Sequence, residues 1–377
     1  MKFGEAVVYD FRNGDSVEKI ININEMEPTF EDSQYDLNNS LDIGSLSVVQ
    51  WNIERGYQLE KIIKLLSECN ADIICLQELD INCIRSHRSN CALEIARQLK
   101  MKCICVVEFE ELNEQGVHGN AILSKMDFDL THVIMHSQVF NWNEHGKSRG
   151  ESRIGQRCTM VCEFKIKNVP ILVYSAHLEV FTGILGRITQ LSEIFSFGSN
   201  SDRKHQILCG DLNTLGHGIA RFSPNYCNDE MRWKSIGYAE SEFFYDRVLK
   251  FNVSDGPFNE SLQGYGLSKE IVEAARNPGF NEVFDLSDIT LTNYGGAFQG
   301  KLDWLMIKGF GVKHKYMKNN DFDASDHKLL YATLTSLPFQ DPNKDVVVKR
   351  NKARIYSMLV LSSSVLIVAL ILKIKNK

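Results

Sequence analysis

The sequence predicts an α/β layered fold built as one large domain, and two patterns predict it. Apolar strand-like runs alternate with helical patterns from residue 45 to about residue 215, as in layered sheet-and-helix proteins. Polar residues suited to metal or phosphate chemistry close six apolar runs spread over most of the chain, so the chemistry does not divide between several domains. In chain order the first strand candidates are LSVVQWNI, ADIICLQEL, GNAILSK, VPILVYSAHLEV and HQILCGDL. The helix candidates LEKIIKLLSE, ALEIARQLK and GRITQLSEIF carry apolar residues at steps of three and four, which gathers them on one helical face. Residues 215–299 are less regular, with KEIVEAAR helical among them, and KLDWLMIKG and KLLYATLTS then return to strand.

The boundaries follow from composition. Residues 1–45 are polar and Asn-rich and receive no assignment. Residues 46–337 form the main domain. Residues 338–354 read as a polar and basic linker, since PFQDPNKD carries two prolines among polar neighbours. Residues 355–372 and a short basic tail, 373–377, complete the chain.

Residues 355–372, IYSMLVLSSSVLIVALIL, contain no charge over 18 residues, the short end of what spans a bilayer. Lys349, Arg350, Lys352 and Arg354 precede the run and Lys373, Lys375 and Lys377 follow it, as suits flanks that reach into headgroups. A buried core helix is the competing reading, but such helices are usually shorter or amphipathic. The expectation is a single transmembrane helix, a tail anchor, with the main domain facing the cytosol. Endoplasmic reticulum, mitochondrial outer membrane and peroxisome suit such an anchor equally. The terminal KIKNK also fits a dilysine retrieval signal, but that signal needs the reversed topology and is set aside.

Charge bounds the partners. The chain carries −6 overall. From Lys344 onward eight basic residues face one acid, Asp345, which leaves 34 basic against 47 acidic residues, or −13, for residues 1–343. An acidic body lacks the broad basic surface that drives sequence-independent nucleic-acid binding. MKFGEAVVYDFRNGD has no apolar core of the secretory kind. The ten cysteines include no CxxC pair, so they read as reduced, mostly buried thiols.

Six strand ends carry the chemistry. They are Asn52 and Glu54 in QWNIERG, Gln77 and Glu78 in CLQELD, His177 in SAHLEV, Asp211 and Asn213 in CGDLNT, Asp303 in KLDWLM, and Ser325, Asp326 and His327 in ASDHKLL. Each alone has a bland explanation, because strand ends and turns attract polar residues anyway. As a set they would each place a costly polar group beside a core, and coincidence is the weaker reading.

The ordered series WN, QE, GNAILS, HL, GDLN, LDW and SDH resembles the motifs of the endonuclease/exonuclease/phosphatase superfamily over about residues 46–335. The resemblance implies a four-layer α/β/β/α sandwich, two packed mixed sheets flanked by helices, with the site where strand ends meet. It implies a divalent-metal-dependent phosphoester hydrolase of phosphodiesterase type, using Mg²⁺ or in its place Mn²⁺. Glu78 would hold the ion with Asn52 and Asp326, and Glu54 is a weaker ligand candidate. Hard carboxylate oxygens suit that ion. Asp211 would align or deprotonate the attacking water, supported by Asn213. Asp303 would pair with His327, which acts either as base or as charged stabiliser. His177 would contact a phosphate oxygen or protonate the leaving group, and Asn120, with His177 and Asn213, would face the phosphate. His118 reads as structural, as do Arg187 and Gln190.

The departures from the family pattern narrow the substrate. His177 argues against an apurinic endonuclease. Leu208, Cys209 and Thr214 around GDLN argue against an inositol 5-phosphatase, and HLE in place of HLH weakens sphingomyelinase and deadenylase. Trp233, Phe243, Phe244, Tyr245 and Tyr265 would line a substrate surface or, the preferred reading, serve as core aromatics. The favoured partner is a lipid headgroup or small phosphorylated molecule at a membrane, acted on by a monomer. The alternatives are a nuclease or nucleotide-processing phosphodiesterase, and a catalytically inactive membrane scaffold of the same fold.

Overall fold

Apolar alternation on both sides of a strand calls for cover on both faces, and the chain supplies it with two sheets back to back. The structure, a computed structural model, describes residues 1–14, 17–26, 44–215, 239–251, 260–293 and 298–335. The chain divides into two compact units, Met1–Phe339 and Gln340–Lys377, and every described residue lies in the first.

The first sheet contains β1 (Glu5–Asp10), β2 (Val17–Asn22), β3 (Ser45–Asn52), β4 (Ile73–Ile81), β5 (Lys102–Glu111) and β6 (Gly116–Ser124), with β8 (Arg153–Gly155), β16 (Gly311–Lys318) and β17 (Leu329–Thr335). Its order is β16-β17-β3-β4-β6-β5-β1-β2, with β8 paired to β5. The second sheet orders β12 (Asn281–Glu282), β15 (Asp303–Lys308), β11 (His205–Asp211), β10 (Val169–His177), β9 (Cys158–Ile166) and β7 (Phe128–Met135). A separate ribbon pairs β13 (Leu291–Asn293) with β14 (Phe298–Gly300). Both sheets are mixed: β3 and β4 run parallel, as do β10 and β11, while the other pairs are antiparallel.

Three apolar layers hold the sheets and helices together. Residues from both sheets, among them Val48, Ile122, Val173, Ile207, Leu305 and Leu330, form the core between them. Helices α1 (Leu59–Cys69) and α2 (Cys91–Leu99) cover the outer face of the first sheet. In α1 the buried side chains are Ile62, Leu66 and Cys69, one stripe of the helix, and Asn70 ends it in the left-handed conformation at φ 49°. Asn90 caps α2 by accepting from the Leu93 N–H. Helix α4 (Ile184–Asn200), numbered after the single turn α3 (Trp142–His145), covers the second sheet with Ile184, Ile188, Leu191 and Phe195 inward. The order helix, sheet, sheet, helix follows.

Residues 5–10 and 17–22, without assignment in the sequence, form the antiparallel pair β1–β2 at the first sheet's edge, β1 pairing with β5. Phe243 and Phe244 are buried in the outer core of the second sheet, and Tyr245 and Tyr265 pack against it; Trp233 lies outside the described residues. The nine described cysteines are free and buried. Residues 355–372 lie outside the described residues, and among the described ones no helix is long and apolar enough to cross a membrane.

Candidate active site

Each sheet contains one parallel strand pair, and their carboxyl ends are where an α/β crevice forms. In the first sheet Asn52 pairs with Gln77 at the ends of β3 and β4. In the second, His177 pairs with Asp211 at the ends of β10 and β11, and Asp211 pairs in turn with Asp303 on β15. The register therefore delivers five of the six strand-end motifs to one edge of the sandwich. Beneath them Gln50, Gln77, Ser175 and Asp303 tie the two sheets together. Gln50 Nε2 donates to Gln77 Oε1 at 2.6 Å and to Asp303 Oδ1 at 3.3 Å, and Gln77 Nε2 donates to Ser175 Oγ at 3.0 Å.

The result is a cavity of about 390 Å³ whose wall includes Glu54, Glu78, His177, Asp211, Asn213, Asp326 and His327, with His118 and four arginines. Glu78 reaches it through a β-bulge. Leu76 pairs with Ala121 and Leu79 with Gly119, so Gln77 and Glu78 together oppose Asn120. Glu78 takes φ 58° there, and the extra residue re-aims its side chain. Burial works against charge on Glu78, but the nearby charges, Arg55 first, outweigh it and hold the carboxyl below its ordinary range.

Asp211 is buried and held by two donors, the Asn213 N–H at 2.9 Å and Asn52 Nδ2 at 3.0 Å. Burial, with the Asp303 charge adding and His327 opposing, raises its carboxyl well above the usual range. Asp303 Oδ2 lies 2.7 Å from His327 Nδ1. Burial opposes the imidazolium, but Asp303 and Asp211 overcome that and raise His327 above the usual imidazole range. Its backbone is fixed as well: the Trp51 indole and Asn319 Nδ2 donate to the His327 carbonyl at 2.9 and 2.7 Å, and Ser325 Oγ accepts the His327 N–H.

His177 is the opposite case. Burial and the adjacent Arg157 guanidinium hold it neutral, well below the usual range. Arg157 Nη1 donates to His177 Nδ1 at 2.9 Å and to Glu108 Oε2 at 2.9 Å. The proton of His177 is thus on Nε2, 3.6 Å from Asp211 Oδ2 and 3.9 Å from Glu78 Oε1. Two histidines on one wall therefore carry different charges, and each is set by its neighbour.

Several expected residues are placed differently from the sequence reading. Asn52 meets the site with its amide N–H groups: Nδ2 donates to Glu78 and Asp211, while Oδ1 accepts the Glu54 N–H. It ties the carboxylates of Glu78 and Asp211 together. Asn120 is 1 % exposed behind the wall, and neither atom of its amide has a partner among the described residues. Its expected phosphate contact gives way to a place beneath the bulge. Asn213 lines the cavity, with Nδ2 spent on the Leu178 carbonyl. Asp303 is wholly buried behind His327. Arg187 donates to the carbonyls of Glu179, Val180 and Thr182, and Gln190 accepts the Glu179 N–H, so both shape the loop after His177. His118 Nδ1 pairs with Asp80 at 2.9 Å while the ring lines the cavity. Arg157 and Glu108 escape sequence reasoning, since no motif surrounds either.

The donor set fits a divalent ion. Glu54, Glu78 and Asp326 line the same cavity. Burial first, then mutual repulsion, raises Glu54 and Asp326 above the usual carboxylate range. Carboxylate oxygens on one wall are the ligands a hard cation prefers. Among the described residues the group whose ligand atoms lie within 4.8 Å of one another is Asp211, Asp303 and His327, and the Asp303–His327 hydrogen bond makes an acid–imidazole pair within it.

Comparison with known proteins finds remote relatives and one family. The probable CCR4-Not complex 3′-5′-exoribonuclease subunit Ccr4 of Enterocytozoon bieneusi (strain H348) is 18% identical over 317 residues, covering 78% of this chain and 59% of that protein. The chain thus spans less than two thirds of that relative. Among solved structures, ANGEL2, a 2′,3′-cyclic phosphatase in complex with adenosine-2′,3′-vanadate, superposes with TM-score 0.49 at 14% identity, covering 78% of this chain and 96% of that one. A family protein from Bacteroides thetaiotaomicron gives 0.47 at 13%, covering 79% and 100%. The human Nocturnin catalytic domain with bound sulfate gives 0.44 at 14%, covering 77% and 94%. Enzymes of this superfamily hydrolyse phosphoester bonds and use divalent metals. Residues 49–327, most of the chain, match the Endonuclease/Exonuclease/phosphatase family, and the chain belongs to that family.

Proposed function

We propose that the chain is a magnesium-dependent phosphodiesterase acting on a lipid headgroup or small phosphorylated molecule at a membrane surface. The observation that carries this reading is the meeting of Glu78, His177, Asp211, Asp326 and His327 on one cavity wall. Glu78, with Asp326 and Glu54, would hold a magnesium ion, whose charge would neutralise phosphate oxygens. Asp211, fixed by Asn52 and Asn213, orients a water and takes its proton as the water oxygen bonds to phosphorus. Its raised ionisation suits a base near neutral pH. Charged His327 faces the developing negative charge on the phosphoryl oxygens, and the Nε2–H of His177 donates to one of them. The bond from phosphorus to the leaving oxygen breaks as the new one forms.

Membrane attachment rests on the charge-free run at residues 355–372 with its basic flanks. The cytosolic orientation belongs to the same proposal. A second reading, a nuclease or nucleotide-processing enzyme, is favoured by the exoribonuclease name of the relative above. The acidic body counts against it.

The test is a magnesium-dependent turnover screen of the full chain across sphingomyelin, phosphoinositides, oligonucleotides and simple diesters, with Asp211→Asn as control. A loss on the order of 10²-fold in the variant is expected. Equal turnover by wild type and variant refutes the site.

A further inference from the structure

Four arginines line the active cavity, and three are neutralised. Arg55 pairs with Glu151 and lies 3.9 Å from Glu78. Arg153 pairs with Glu111 at 3.0 Å and with Glu151. Arg157 pairs with Glu108 at 2.9 Å and lies 3.9 Å from Glu179. Arg149 differs. Among the described residues it has no carboxylate partner and no hydrogen-bond acceptor, and its Nε is buried without one.

What holds Arg149 is aromatic. Its guanidinium carbon lies 5.2 Å from the Phe181 ring centre and 5.7 Å from that of Phe140. The two rings sit 5.3 Å apart, and Trp142 packs edge-on against both, at 5.0 and 5.3 Å. Arg149 ends the short turn Gly146–Arg149, which Gly150 closes at φ 83°, so the backbone is fixed too. A guanidinium laid against ring faces keeps its N–H fork free for oxygen. It is also ordered in advance, which lowers the entropy lost when an anion arrives.

We propose that Arg149, on its Phe140–Phe181 platform, is a second anion subsite of the active cavity, taking a further phosphate group that the substrate carries beside the scissile phosphoester. This rests on the hydrolase reading above. Two observations make phosphate the fitting ligand. The free fork matches two oxygens of one phosphate. The acid nearest in sequence on this wall, Glu151, is already shared between Arg55 and Arg153, so an incoming anion meets a compensated carboxylate. The second phosphate belongs to a nucleotide or to a phosphorylated polyol, and the experiment separates these.

The experiment uses the full chain with magnesium and two matched substrate pairs. One pair is the 4-nitrophenyl diester of thymidine 5′-phosphate with and without a 3′-phosphate. The other is the 4-nitrophenyl diester of glycerol 1-phosphate with and without a phosphate on the 3-hydroxyl. A second phosphate is expected to raise kcat/KM by about tenfold in at least one pair, the weight of one charged hydrogen-bonded contact. The pair that responds names the source. Arg149→Gln is expected to erase that preference and Arg149→Lys to keep part of it. The wild-type preference is read without any variant, so a folding defect in Arg149→Gln does not shield the proposal. Equal kcat/KM within both pairs overturns it while leaving the hydrolase reading intact. So does a preference that survives Arg149→Gln, which leaves Arg149 as a packing strut. Turnover of none of the four compounds overturns the hydrolase reading, and the subsite falls with it.

Discussion

Replacing Asp303 with Asn changes one charge and almost no shape. Asp303 Oδ2 accepts from His327 Nδ1 at 2.7 Å, its Oδ1 accepts from Gln50 at 3.3 Å, and both residues are buried. A hydrogen bond between charged partners contributes about 1.5–3 kcal/mol. Its loss therefore lowers the ionisation of His327. The sign follows from the direction. His327 is raised in the folded state, so its imidazolium, and the stability that form contributes, is present below the unfolded value and lost as pH rises through the folded one. Asp303→Asn brings that loss to lower pH. The assay is kcat/KM against pH at saturating magnesium with bis(4-nitrophenyl) phosphate. The basic limb is expected to move to lower pH, with a fall of about tenfold or more on the alkaline side, the weight of one charged hydrogen bond. A basic limb that stays in place, or moves up, refutes a charged His327 sustained by Asp303.

Further outcomes follow from other contacts. Glu78→Gln removes the charge from the bulge and should raise the magnesium concentration for half-maximal activity by about tenfold or more; an unchanged magnesium dependence contradicts Glu78 as a ligand. Arg157→Met leaves Glu108 buried without its cation and frees the tautomer of His177. A cost of about 3–5 kcal/mol in chemical denaturation is expected, recovered in part by adding Glu108→Gln; a cost under about 0.5 kcal/mol contradicts a buried ion pair. Deleting residues 355–372 should release the protein from phospholipid vesicles in a flotation assay, and retention without them places membrane attachment elsewhere.

The legibility of the sequence was uneven for physical reasons. Asn52, Glu78, His177, Asp211 and His327 stood out because a polar group closing an apolar run is costly unless it is used. The two βαβ units stood out because α1 and α4 carry plain apolar stripes. The β1–β2 pair did not, because it lies on a sheet edge where Lys19, Ile20 and other outward residues are exposed and the surrounding composition reads as polar. The bulge at Gln77–Glu78 arises from pairing with Asn120, some forty residues later, which no local pattern records. Arg157 lies in the link between β8 and β9 and meets Glu108 on β5 because β8 pairs with β5, some fifty residues away in sequence. The role of Asn52 depends on which end of its amide finds the Glu54 N–H, a property of the folded turn. Spacing can name a set of residues for one site, whereas the charge on each histidine depends on neighbours brought in by the fold.

The most direct measurement is the position of manganese, substituted for magnesium, located by anomalous scattering in crystals of the protein. The account predicts one strong peak in the cavity with a Glu78 carboxylate oxygen about 2.0–2.2 Å away and Asp326 or Glu54 close by. A peak distant from Glu78, or none at millimolar manganese, contradicts it.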